Sequence, residues 1–527
     1  MFEFFKRKNT ILLPWIGKES IYNYIKRNLN SEGNVSSEFE KLPDDNEFFE
    51  DKSFRWIPGA MDGVLIHHAA SSHEEKNKII RLSKLLRKQI TKPSNASRRE
   101  TYLAFMDDSI LSYIDPLLEL LRKQPDLNFQ VLYDEAKWFA KEGAHRGVVK
   151  MGIALLGLFN CEQDEELLMT LGKHEEFTLF VSVALQNGFV NSDQKLFELA
   201  KCVNGWGKIQ IVERLEAEQE EIKDWLLKDG CDNNVMPEYL AYTCAVKGNL
   251  KDALSSQDID EKLYKGAGII IAALTVGGPA EDIDDYNDSM PVIIDFLRHS
   301  SSHCNTLSDF LVVADIKEFL EEDEEIWVKR LKAGWNSEIR ENCLKECQRI
   351  IFQKRWEDAV WNELSFEDNY KKYCAIRAAK VLGIEIWQQL FAELQNKPLD
   401  TGLYYELMRT DNKELIKRLV AFAEENLPLN DIARGPGTEL GLGPDFKAQG
   451  CLDFILQDLD KYEGIGGKLI LTGLKSTVIR NRNMALNSLE AWDKNSWPEG
   501  TIGILNELHG IEPDLDVKKR IEGLCIK

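Results

Sequence analysis

The stretch that decides the fold is Ser192–Leu215, SDQKLFELAKCVNGWGKIQIVERL. Its first half sets Leu196, Phe197, Leu199, Ala200 and Val203 on one side of a helix, and Asn204 and Gly205 are residues that end one. A second helix starts at once, through Ile209, Ile211, Val212 and Leu215. Each helix is apolar on one face, and a lone hairpin of two such helices cannot shelter both stripes from water. Neighbouring hairpins must stack to cover them.

The same grammar runs in both directions from this hairpin. In Asp411–Asn426 the residues Leu415, Ile416, Leu419, Val420, Phe422 and Ala423 repeat at helical spacing, with Asp411 placed to cap and Glu414 three residues on. Further helices are expected at 221–228, 236–247, 292–298, 307–319, 338–352, 373–382, 386–394, 452–459, 468–474, 481–492 and 501–508. Strand signals are nearly absent, because long alternating runs of β-branched residues do not occur. Paired helices recurring about every 30 to 45 residues without a strict consensus predict an all-α chain, an α-solenoid of HEAT- or armadillo-like hairpins over 61–527. A globular helical bundle is the alternative. Residues 1–60 read as a mixed headpiece whose acidic stretch Asn30–Lys52, with Asp44, Asp45, Glu47, Glu50 and Asp51, forms a linker or long loop.

The 527 residues are 43% apolar and 29% charged, which is enough to build a large interior and too apolar for a mostly disordered chain. Asp and Glu outnumber Lys and Arg by 88 to 66, and the net charge of −22 repels phosphate backbones and anionic lipid over most of the surface. General nucleic-acid coating is therefore disfavoured, and no membrane association is expected. The apolar stretch Ile11–Ile16 is interrupted by Pro14 and too short for a signal peptide. The longest apolar run, Gly266–Gly278, falls short of a bilayer span. Ten scattered cysteines, such as Cys244 within Ala241–Ala245, read as reduced core residues. A cytoplasmic protein is expected.

Searches for catalytic apparatus yield no assignment, so catalytic residues stay unknown, and neither a cofactor nor a metal is expected. The glycine cluster Gly435–Gly443 misses the dinucleotide spacing by one residue, lacks a preceding strand, and reads as a structured interhelical loop. His299, His303 and Cys304 could face one zinc ion from one helix, but Ser300, Ser301 and Ser302 between them suggest a helix end and a solvated loop. His67, His68 and His73 form a second loose group. Glu142 and His145 make one Glu-x-x-His pair where a di-iron bundle needs two, and Cys343 with Cys347 share a helix face as core residues.

Three charged features and one aromatic remain. Lys78–Arg99 is strongly basic, with Arg81, Lys84 and Lys88 on one helix face, which reads as a solvated outer face or as a docking place for an anionic partner, and Glu318–Glu325 is its exposed acidic counterpart. Arg480, Asn481, Arg482 and Asn483 cluster at the start of a helix, where guanidinium groups, amides and the positive helix end together suit an anion. The same four side chains could instead cap and bridge adjacent repeats. Trp206 and Arg214 are placed to line an inner binding surface, since tryptophan and arginine serve as contact anchors, or to plug a seam between hairpins.

Leu196–Leu215, Asp224–Ala245 (DWLLKDGCDNNVMPEYLAYTCA), Glu439–Pro444 (ELGLGP) and Ser476–Leu486 (STVIRNRNMAL) resemble a bacterial family of HEAT-like helical-repeat proteins, over most of residues 60 to 525. Some members of that family are labelled limonene hydroxylase. The resemblance implies a helical-repeat fold, and by that label a monoterpene-hydroxylating oxidoreductase, but brings no functional residue that matches position by position. The primary expectation is a scaffold that binds a protein or peptide on its inner surface; the alternative is the hydroxylase.

Overall fold

The computed structural model describes residues 13–49, 55–68, 76–106 and 110–526. Among them every regular element is helical, and strand-like pairing is confined to two isolated bridges, Leu29 with Val35 and Glu439 with Val478. The expected fold class, all-α, is observed. No described helix is long and apolar enough to cross a membrane. By contact the chain divides into two compact units, Met1–Ala378 and Ala379–Lys527.

Local chemistry starts the helices where short polar side chains can take up orphan amides. Asp260 accepts from the Leu263 amide at 2.7 Å to open Glu261–Val276, and Asn336 accepts from Ile339 at 2.8 Å to open Ser337–Ile351. Thr306 and Asp309 form a reciprocal capping box at Leu307–Glu321. Asn412, rather than the expected Asp411, caps Lys413–Asn426, because its Oδ1 reaches the Glu414 amide at 3.0 Å.

The decisive hairpin is present as Ser192–Ala200 and Trp206–Val212. In the first unit several helices pack both on a sequence neighbour and on the next but one. Arg146–Leu156 lies against both Phe129–Glu142 and Glu175–Gly188, and Glu175–Gly188 lies against Trp206–Val212. Further on, Glu261–Val276 packs on Leu307–Glu321, which packs on Ser337–Ile351. In the second unit, Thr401–Leu407 packs on Lys447–Leu456, which packs on Ile479–Ala491, which packs on Leu515–Ile526. These faces are closed by fully buried Leu, Ile, Val and Phe side chains such as Val148, Ile153, Phe177, Ile209, Leu452 and Leu486.

The expected helix 221–228 departs from α geometry. Glu220–Trp225 is α-helical, and Leu226–Gly230 winds on as a π-helix. Gly266 explains the fit: a Cβ there would collide with the Leu227 carbonyl oxygen, so only glycine lets Glu261–Val276 approach this wider turn so closely.

The described part of the acidic stretch 30–52 differs from a solvated linker. Asp44 and Asp45 are buried against Arg146, whose Nη2 lies 3.0 Å from Asp44 Oδ1 and also donates to Asp45. Arg55 pairs with Asp45 from the other side. A buried guanidinium requires carboxylates, and this stretch supplies them, so it is docked on the first helices.

Candidate functional site

A groove of about 610 Å³ in the first unit is built by four segments far apart in sequence. Its floor comes from Gly268, Ala272 and Ala273 of Glu261–Val276, small residues that leave room above them. Leu311, Val312 and Asp315 of Leu307–Glu321 form one side. Tyr370, Tyr373 and Arg377 of Asn369–Leu382 recur at helical spacing and form the next, and Asp232, Pro237 and Glu238 close the far rim.

Three large apolar side chains of this groove face water: Val276 at 66%, Tyr370 at 64% and Tyr373 at 52% exposure. Such a concentration in one concavity is what a contact surface presents. Arg377 Nη2 donates to Asp315 Oδ1 at 2.7 Å and ties two walls together. Burial pushes the Asp315 carboxyl up, and the Arg377 guanidinium only partly counters it. Asp232 and Glu238 add negative charge at the rim.

A larger cleft of about 680 Å³ lies between residues 30–40 and 173–235, but two of its charged groups are engaged by its own walls. Glu175 accepts from the amides of Asn204, Gly205 and Gly207 at 3.1, 2.7 and 3.2 Å and so fills the helix N-terminus. Lys208 donates to the carbonyls of Asp229 and Asp232 at 2.7 and 2.5 Å.

Of the residues singled out from sequence, Trp206 is buried in the first unit, packed on Gly63 and against His67 and Tyr239 at ring distances of 5.8 and 5.2 Å. This is the seam-plugging arrangement. Arg214 is half-buried, donating to Gln210 through its carbonyl at 2.6 Å and its side chain at 2.9 Å. Burial lowers its pKa, with Glu213 opposing.

Arg480–Asn483 belong to the second unit and act mainly inside it. Arg482 is 1% exposed and donates to the carbonyls of Ser476, Thr477 and Gly437 at 2.8, 3.2 and 2.7 Å. Asn481 is buried and donates to the Gln449 carbonyl at 3.0 Å and to Asp453 at 2.6 Å. Asn483 accepts from Arg520 of the last helix at 2.7 Å. Arg480 alone is exposed, 3.5 Å from Asp453. These side chains bridge adjacent elements, and an anion has no access to Arg482 or Asn481. The Gly435–Gly443 loop is structured, as its glycines suggested: Gly437 approaches Thr477 closely, and the Glu439 carbonyl accepts from Ile479 at 3.1 Å.

The histidine groups are likewise engaged. The helix Ser289–His303 runs through the three serines, where sequence suggested a loop, so His299 is buried with Nε2 2.9 Å from the Leu254 carbonyl and His303 stacks on Tyr264. His68 Nε2 lies 2.6 Å from the Tyr239 hydroxyl; His73 lies outside the described residues. His145 sits between Tyr102 at 2.8 Å and Glu47 at 3.2 Å. Among the described residues no three His, Cys, Asp or Glu side chains form a metal-binding group. All ten cysteines are free thiols, eight of them buried.

The sequence matches no protein-family model and no curated protein.

Proposed function

We propose that the chain is a HEAT-like helical scaffold whose groove at Tyr370 and Tyr373 receives a protein segment carrying apolar and basic side chains. The observation that carries this reading is the set of exposed Val276, Tyr370 and Tyr373 in one concavity with Asp232 and Glu238 on its rim. Tyrosine faces and rim carboxylates suit lysine and arginine, and the small-residue floor admits aliphatic side chains. The packing of several helices on the next but one supports stacked hairpins of the solenoid kind within each unit. Ten unpaired cysteines fit a reducing compartment, and the cytoplasm is the proposed location.

A displayed library of random peptides, selected on the full chain, tests the reading. Enriched peptides rich in Arg, Lys and aliphatic residues, bound at least tenfold more weakly by Ala272→Arg and by Tyr373→Ala, support it. Acidic consensus peptides, or binding indifferent to both substitutions, overturn it.

A further inference from the structure

Beyond that groove, we propose that the outward face of the helix Lys76–Thr91 is a second docking surface, and that its partner is an acidic protein segment with interspersed aliphatic side chains. Residues 76–99 contain nine Lys and Arg and no Asp or Glu, in a chain of net charge −22. The fold sorts these cations. Lys78 lies over the Tyr113 ring at 4.4 Å, and Arg98 makes a two-pronged bond to Glu135 at 2.7 Å while stacking on Trp138. Lys88 pairs with Glu100 at 2.5 Å, and Arg87 reaches Asp126 at 3.8 Å.

Of the remaining cations, Arg81 and Lys84 lie at the middle of the helix. Both are exposed, they stand one turn apart, and no described side chain pairs with either. Ile80, which is 48% exposed, and Leu85 flank them in a shallow concavity of about 480 Å³. The opposite face of the helix is anchored by buried Ile79, Leu82, Leu86 and Ile90, so the helix cannot roll to hide Ile80 or to find partners for the two cations.

The pattern selects the partner. Cations at helical spacing with aliphatic side chains on either side complement an acidic segment that brings its own apolar residues. Among the described residues the concavity contains no aromatic ring on which a base could stack. Its aliphatic groups lie within a hollow instead of projecting as a membrane-inserting ridge would require. With the groove at Tyr373 favouring basic segments, the two surfaces would let one chain hold partners of opposite charge.

The test is fluorescence anisotropy of the full chain with a labelled peptide of repeating Glu and Leu. A Lys/Leu peptide, oligo-uridine RNA and phosphatidylglycerol vesicles serve as competing probes. The Glu/Leu peptide is expected to bind best, to weaken as salt rises, and to bind at least tenfold more weakly to Arg81→Glu/Lys84→Glu, with Arg81→Gln/Lys84→Gln between the two. Tyr373→Ala is expected to leave this binding unchanged, which separates it from the groove. No binding of the Glu/Leu peptide, binding indifferent to the charge reversal, or a preference for RNA or vesicles overturns the proposal.

Discussion

Arg482 and Glu512 meet at 2.7 Å with side chains 1% and 0% exposed, joining the start of the helix Ile479–Ala491 to the end of Thr501–Ile511. Glu512→Ala strands a guanidinium in the interior, where removing one partner of a buried pair costs about 3–5 kcal/mol. The urea midpoint of the second unit should fall accordingly, with hydrogen exchange accelerating across 479–491. Arg482→Met/Glu512→Leu should recover only part of the loss, because the carbonyls of Ser476, Thr477 and Gly437 then lose their donor, at about 1 kcal/mol each.

The same residues show what the sequence could and could not reveal. That a helix begins near Arg480 is legible from local pattern. Arg480 and Arg482 are two residues apart, about 200° around the helix, and so point in opposite directions. Which one faces inward is decided by Gly437 and Glu512, and nothing local encodes them. The groove was hidden for a similar reason. The periodicity around Tyr373 is readable, but its outward stripe becomes a wall only against Gly268 and Val312, brought alongside by tertiary packing. The acidic stretch carrying Asp44 and Asp45 looked solvated because its counter-ion, Arg146, lies about a hundred residues away.

Gly266→Ala should loosen the first unit around the π-helix. The added methyl meets the Leu227 carbonyl oxygen and the Lys228 backbone, which cannot yield as a side-chain tip could. Overpacking of this kind costs about 1–3 kcal/mol. Gly268→Ala, whose Cβ would sit 3.4 Å from Val312 Cγ2 and 3.5 Å from Phe296 Cζ, should be tolerated. A thermal melt of the two variants, with Gly266→Ala clearly the lower, checks the contrast.

Acid should weaken the first unit in a defined window. Burial pushes His174 down to about 4, so between pH 6.5 and 4 the unfolded chain takes up a proton that the folded chain refuses. Stability is then present above pH 6.5 and lost as pH falls toward 4. His174→Gln should flatten this limb of a urea-midpoint profile. A wild-type midpoint that stays level from pH 7 to pH 4.5 would contradict the assignment.

Lys150 provides a second test by pH. Its ammonium is 1% exposed and lies 2.6 Å from both Asp62 Oδ2 and Glu176 Oε1. Burial alone would raise the Glu176 carboxyl, but Lys150, with Arg146 behind it, outweighs that and holds it well below the usual range. Lys150→Met keeps the length and removes the charge. Two buried carboxylates then lack their closest cation, at a cost of about 3–5 kcal/mol at pH 7. Burial is the largest influence on Glu176 and Lys150 its largest counterweight, so without Lys150 the folded-state pKa of Glu176 rises. The folded variant therefore holds protons more tightly than the folded wild type does, and acidification costs it less stability. The gap between wild type and Lys150→Met in urea midpoint should accordingly narrow between pH 7 and pH 5. A gap that stays constant across that range would mean that Lys150 acts by packing alone.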